Sequence, residues 1–306
     1  MTIHIHHIAA ISTNWQRTLR FYHHVLGLRV HHKASLFDGP KVCHFYLNEG
    51  VKGFITFYHC PGLADGRNTN SSDAISFSVP ISSFHYWVSR FQKEKISFFE
   101  QQDPFDKRQV LLFKDPDGLS LKLHFLETEN RSRTMDSVLP WRFAVQGISG
   151  LKISTSDFKN LAAFFTCQLG LTKRNITGNC NRFHLGPTLE NILDVYDCPG
   201  QIADPSGCGR LHHIAFEVTN WLSYSAAQSF LFDAAGWSVF RRHPDQYSSL
   251  YFKLGEGPLF EILGERPLWE EGKKKIVSGN RGKNNKKKAE KEVMIGHSLA
   301  TIFSCY

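Results

Sequence analysis

The string His-His-Ile-Ala occurs twice in this chain of 306 residues, at 6–9 within IHIHHIAAIS and at 212–215 within RLHHIAFEV. Recurrence of so distinctive a string points to internal repetition, which restricts the possible folds more than local propensity does. Other stretches repeat as well. TLRFYHHVLGL at 18–28 matches LAAFFTCQLGL at 161–171, aligning Phe21 with Phe164, Leu26 with Leu169 and Gly27 with Gly170 at an offset of 143. FYHCPG at 57–62 matches VYDCPG at 195–200 at an offset of 138. A fainter pair, at an offset of 139, sets DAISFSVP (73–80) on HHIAFEVT (212–219) and DPDGLSLKLHF (115–125) on the segment around GEGPLFEILG.

Each quarter has the same internal order. In the first, Ile5, Ile8 and Ile11 belong to a strand. Thr13 is placed to cap a helix whose apolar face carries Trp15, Leu19, Tyr22 and Leu26 and which Gly27 stops. Residues 28–33, 42–47 and 53–58 follow as strands. The second quarter repeats the order with a helix over 82–93 and an Asp-Pro-Asp-Gly turn at 115–118 before its last strand. The expected fold is α+β, with four tandem βαβββ modules forming two cup-shaped half-barrels. The first pair of modules spans 1–128, a linker 129–146 and the second pair 147–268.

Composition restricts the partners. The formal charge is +8, yet residues 273–292 hold nine Lys/Arg against two Glu, a net of +7, so almost the whole excess lies in the segment 269–306. That segment reads as a disordered basic tail able to bind anions weakly, with no specific nucleic-acid partner. No apolar run approaches the ~20 residues of a membrane span, and the first residues lack the order of a signal peptide. A cytoplasmic location follows by default, and a homo-oligomer is open to such a chain. The seven cysteines form no C-x-x-C pair, their number is odd, and they read as reduced thiols.

Tandem βαβββ modules of this kind resemble the vicinal oxygen chelate superfamily, in which paired modules form a cup that holds a metal. The resemblance implies ligands at fixed places on the first and last strands of each module. The repeat offsets place these at His7 and Thr56, Ala74 and Lys122, Gly150 and Asp194, and His213 and Glu261. Two pairings follow. If modules one and four share a cup, its inward set is His7, His213 and Glu261 with Thr56. That donor set suits non-haem Fe(II), with Mn(II) or another divalent metal as alternatives. The partner cup then holds Ala74, Lys122, Gly150 and Asp194, with Lys122 and Asp194 as an ion pair. If modules three and four share a cup, the ligands are Asp194, His213 and Glu261. Glu261 lies in the apolar strand PLFEILG, where an uncompensated carboxylate is costly to bury.

Within that superfamily, HHIAAIS, LGLRVHHK, LFKDPDGL, LHHIAFEV and SSLYFKLGEGPLFEI resemble the ring-cleaving dioxygenases of the hydroquinone type. The likeness implies iron on His7, His213 and Glu261, and no organic cofactor. It further implies a tyrosine ten residues before the glutamate, matched by Tyr251, and a histidine behind the first ligand, matched by His6. The implied activity is Fe(II)-dependent, extradiol-type cleavage of a hydroquinone- or catechol-like ring by O2. Tyr251 would hydrogen-bond the substrate oxygen, and His6 or His212 would relay protons. Strand alternation, however, turns the neighbours of an inward ligand outward. The chain departs from these relatives at Pro244, where they carry Arg, with Arg241 and His243 nearby, and at Ala9, where they carry a hydroxyl. Two other classes share such a cup: a glyoxalase-like metal-dependent lyase, isomerase or thiol transferase, and a non-catalytic binder of aromatic ligands.

Overall fold

Residues 3–35, 41–46, 54–63, 73–127, 137–185, 191–199, 211–233, 238–242, 247–253 and 258–265 are described by a computed structural model. The basic segment 269–306 and residues His243 and Pro244 lie outside them. The elements run in four similar series. The first is β1 (Ile3–Ser12), α1 (Trp15–Leu19), β2 (Arg29–Ser35), β3 (Lys41–Tyr46) and β4 (Phe54–His59). The second is β5 (Ala74–Pro80), α2 (Phe84–Lys93), β6 (Phe98–Gln102), β7 (Gln109–Lys114) and β8 (Ser120–Leu126). The third is β9 (Gly147–Thr155), α3 (Phe158–Ala163), β10 (Thr172–Thr177), β11 (Cys180–His184) and β12 (Ile192–Asp197). The fourth is β13 (Leu211–Val218), α4 (Trp221–Asp233), β14 (Ser238–Arg242), β15 (Tyr247–Lys253) and β16 (Leu259–Glu265).

The strands form two mixed eight-stranded sheets. One has the order β14-β15-β16-β13-β1-β4-β3-β2 and so joins the first quarter to the last; the other, β10-β11-β12-β9-β5-β8-β7-β6, joins the two middle quarters. At each junction the opening strands run antiparallel, β1 on β13 and β5 on β9, whereas each opening strand lies parallel to the closing strand of its own series. Asp194 therefore sits in a different sheet from His213 and Glu261, which removes the ligand set built from modules three and four.

The helices fill the space between the sheets. α1 continues into a π-helical turn over Arg20–Val25, and α3 into another over Phe164–Gln168. Their aromatic pairs, aligned by the 143-residue offset, reach opposite sheets. Tyr22 packs on Phe57 of the first sheet and Phe21 on Phe113 of the second. Phe165 contacts both Phe216 and Phe183, one from each sheet. These rings belong to one continuous core, and each fully buried aromatic contributes about 2–3 kcal/mol of transfer free energy. Gly27 ends its helix at φ +75°, a left-handed conformation that favours glycine.

The cap of α1 differs from expectation. The Asn14 side chain accepts from the Arg17 amide at 3.0 Å, whereas the Thr13 hydroxyl donates to Asp117 at 2.6 Å. Asp117 also accepts from Arg17 and Thr18, and its neighbour Asp115 accepts from the Tyr22 hydroxyl and from the amides of Asp117 and Leu119. The Asp-Pro-Asp-Gly turn before β8 is thus more than a reversal, because its two buried carboxylates tie the second sheet to the helix of the first quarter. Thr13 is drawn from capping by that stronger, charge-assisted acceptor.

Candidate metal centre

His7, His213 and Glu261 are brought together by strand register. His7 of β1 faces Ala215 of β13, Ala215 faces Glu261 of β16, and Glu261 faces Tyr251 of β15, so these four share one transverse row. The next row runs Thr56, Ala9, His213. Ala9 and Ala215 are fully buried and small. The long side chains on either side of each alanine can therefore lean over it and meet. His7 Nε2 lies 2.8 Å from His213 Nε2, and Glu261 Oε2 lies 3.5 Å from the first and 3.4 Å from the second.

These separations match the donor set of a divalent ion. Bonds of about 2.1 Å place adjacent donors about 3.0 Å apart at right angles and about 3.4 Å apart in a tetrahedron. Glu261 is 2% exposed, and its Oε2 makes no hydrogen bond. Burial alone would raise its carboxyl pKa, but the His213 and then the His7 imidazoles hold it down to about 2. An ionised, buried carboxylate oxygen without a hydrogen bond, aimed between two imidazole nitrogens, is chemistry that a cation completes.

The opposite ring nitrogens are also engaged. His6 Nδ1 lies 2.9 Å from His7 Nδ1, and His212 Nδ1 lies 2.8 Å from His213 Nδ1. Alternation would have turned His6 and His212 away, and the structure overturns that expectation. The β1–β13 register passes from Ile5–Phe216 to His7–Ala215 and from Ala9–His213 to Ala10–Leu211, leaving His6 and His212 as the extra residues of two β-bulges. A bulge inserts one residue, bends the strand locally and re-aims a side chain. The same displacement recurs in β9 at Ser149, the residue equivalent to His6 by the 143-residue offset.

Tyr251 is 9% exposed, and its ring meets the edge of His213 at 5.8 Å. Thr56 is buried one strand away from β1. Two neighbours had no sequence signal. Phe54 stacks on His7 at 5.2 Å, and Tyr58 lies 4.8 Å from the ring of His212. Both are read off only after the β1–β4 register is known.

The equivalent region of the second sheet is built differently. A Cβ on Gly150 would clash with Ile192 Cγ1 and stand 2.7 Å from the Ile192 carbonyl oxygen, so no side chain fits at that ligand position. The expected pairing of Lys122 with Asp194 does not form. Lys122 Nζ binds Asp103 at 3.0 Å, and Arg182 holds Asp194 through Nε and Nη2 at 2.6 and 2.7 Å while reaching Asp103 at 3.0 and 3.2 Å. Arg182 outcompetes Lys122 because its planar fork binds two carboxylates at once.

Among the described residues, no helix is long and apolar enough to cross a membrane, and Cys60, Cys167, Cys180 and Cys198 form no disulfide.

Comparison with known proteins agrees with the architecture. The family model of the glyoxalase/bleomycin resistance protein/dioxygenase superfamily matches residues 4–123. MhqE of Bacillus subtilis, assigned as a ring-cleaving dioxygenase, is 28% identical over 272 residues, covering 86% of this chain and 87% of its own. A chlorohydroquinone/hydroquinone 1,2-dioxygenase of Sphingobium indicum is 26% identical over 272 residues, covering 84% of each chain. A crystal structure of a Bacillus subtilis protein assigned as a dioxygenase superimposes with a TM-score of 0.72 at 22% identity, covering 92% of this chain and 98% of the other.

Proposed function

Because the chain carries a domain of the glyoxalase/bleomycin resistance protein/dioxygenase superfamily and aligns with ring-cleaving dioxygenases over most of its length, we propose that it is a non-haem Fe(II) dioxygenase that opens a hydroquinone- or catechol-like ring with O2. The observation that carries this reading is the cluster of His7, His213 and Glu261, whose donor atoms lie within 4.8 Å of one another around a buried carboxylate oxygen lacking a hydrogen bond. Two imidazoles and one carboxylate leave coordination positions for both reactants, as non-haem oxygenases require. In the same reading the four series are βαβββ modules curled into two cups, and the cup of modules one and four is the working one.

Each residue has a definite task. Glu261 supplies the anionic donor and lowers the net charge of the site. His7 and His213 offer Nε2 as lone pairs once their Nδ1 protons are donated to His6 and His212, which fixes tautomer and ring plane. Iron bound there would carry electrons between a dihydroxylated ring and O2. Tyr251, on the row of Glu261, is placed to hydrogen-bond a phenolic oxygen, and its phenol can hold or release that proton. His6 and His212 stand next in line to pass a proton onward. Ala9 and Ala215 keep the floor of the cup low.

The test is metal analysis of anaerobically purified protein, followed by O2 uptake after Fe(II) loading with a panel of hydroquinones and catechols. Metal at one ion per chain with substrate-dependent uptake supports the proposal. Loading without uptake overturns the dioxygenase assignment, and turnover of a thiol adduct without O2 would move the protein to the glyoxalase-type lyases.

A further inference from the structure

The second sheet encloses a cavity of about 870 Å3, within the range of small-molecule sites. Its floor lies where the first sheet gathers His7, His213 and Glu261. Ala74 and Gly150 replace histidines there, and Lys122 stands at the position equivalent to Glu261, so the local charge is reversed. The basic residues Arg17, Lys95, Lys114, Lys122 and Lys152 line the cavity against Asp103, Asp115 and Asp194. The carboxylates are already engaged. Asp103 and Asp194 are clamped by Arg182, and Asp115 by Tyr22 and two backbone amides.

Lys152, beside the ligand-equivalent position Ala74, makes no direct ion pair among the described residues. Its ammonium rests 4.6 Å over the Tyr196 ring, and its carboxylate neighbour is Asp73, which it attracts without a direct ion pair. On β9, Lys152 is the register partner of Ala74 on one side and Asp194 on the other. The methyl group of Ala74 leaves open the space in front of it. The Ser76 side chain, opposite Lys122 across β5–β8, adds a hydroxyl to the floor. The wall towards β6 and β7 is apolar, formed by Ile96, Leu112 and Phe113 with Phe99, which is 73% exposed. A cation without a direct ion pair and a hydroxyl at one end, and an apolar wall at the other, define an amphiphilic site.

We propose that this cavity is a second ligand site, separate from the metal centre, that binds an organic monoanion with an aromatic body. The carboxylate lies against Lys152 and Ser76, and the ring lies along Leu112 and Phe113. The Tyr196 face that carries the Lys152 ammonium holds it in place for the incoming anion.

The experiment uses the full-length protein and 2-naphthoate, with 2-naphthamide as the neutral twin of the same shape, read by calorimetry and ligand fluorescence. Wild-type protein should bind the acid at least tenfold more tightly than the amide. Lys152→Gln should abolish that difference, and Ala74→Leu, which fills the space, should weaken both ligands. His7→Ala should leave 2-naphthoate affinity unchanged, placing the site outside the first cup. Equal affinity for acid and amide overturns the proposal, as does absence of saturable binding, or loss of binding in His7→Ala with retention in Lys152→Gln. If Lys152→Gln does not fold, the acid-to-amide ratio of the wild type together with Ala74→Leu decides.

Discussion

His6 and His212 occupy the two bulges of a single antiparallel strand pair, and each places its Nδ1 within 2.9 Å of the Nδ1 of the histidine that follows it. The site is thus two copies of one device, a histidine doublet in which the first ring orients the second. If the second rings bind metal, the first rings act through them. His6→Ala and His212→Ala should each weaken divalent metal binding about 10–100-fold while a saturated site still takes one ion per chain. Titration with Co(II), followed by its visible spectrum, checks this, and unchanged affinity in both variants would remove the doublets from the design.

Removal of a donor should act differently from removal of its support. Glu261→Gln keeps the shape but loses the anionic donor, and His7→Ala opens one coordination position. Both should purify with far less than one metal per chain, whereas Asp194→Asn, which lies in the other sheet, should retain full metal content. Elemental analysis of the three proteins side by side is the measurement. Metal loss in Asp194→Asn with retention in His7→Ala would reverse the assignment of the working cup.

The Arg182 cluster carries stability of its own. Its guanidinium is 3% exposed and joins two carboxylates from different parts of the second sheet. Arg182→Met leaves Asp103 with Lys122 and the amides of Phe105 and Asp106, and Asp194 without its clamp, and breaking a buried pair in this way costs about 3–5 kcal/mol. Urea denaturation should show that loss. Lys152→Gln, which breaks no ion pair, should change stability by less than about 1 kcal/mol.

Asp115 gives a pH dependence of defined sign. Burial, with Asp117 as a like-charged neighbour, raises its pKa to about 7 from an ordinary 3.8. The folded protein therefore holds this proton over a pH range in which the unfolded chain has released it. Between pH 4 and 7 the ionising carboxyl erodes stability as pH rises, and acidification towards pH 4 restores it. Asp115→Asn should remove this slope, so the variant gains on the wild type by on the order of 2 kcal/mol across that interval. Unfolding free energies at pH 4.5 and 7 for both proteins supply the comparison.

Gly150 marks the limit of converting the second cup into a metal site. The Ile192 backbone oxygen stands 2.7 Å from where its Cβ would be, so Gly150→Ala should destabilise by about 1–3 kcal/mol. Thermal denaturation reads this directly.

The sharing of one sheet by the first and last quarters was legible because His-His-Ile-Ala recurs at equivalent repeat positions, where two copies of the same chemistry have a reason to coincide. The inward direction of His6 and His212 was not legible. A bulge shifts the phase of alternation by one residue, here from Ile3 and Ile5 to Ile8 and Ala10 on the core side, and the register of β1 on β13 shows where the shift falls. The role of Thr13 was missed because its partner, Asp117, lies 104 positions away. The Lys122–Asp194 pairing failed for a similar reason. Inspection of ligand positions alone leaves out Asp103, which follows β6, and Arg182 on β11, and those two residues take up Lys122 and Asp194 respectively.

The pairing of β1 with β13 also imposes an order in time. His7 and His213 are 206 residues apart in the chain, and at about 5–20 residues per second a ribosome takes roughly 10–40 s to make the intervening segment. Throughout that interval β1 has an open edge and its histidine doublet has no counterpart. The centre therefore forms late, when the last quarter emerges and closes the sheet begun by the first. Early release of the nascent chain would yield a protein with much of its core but without the cluster of His7, His213 and Glu261.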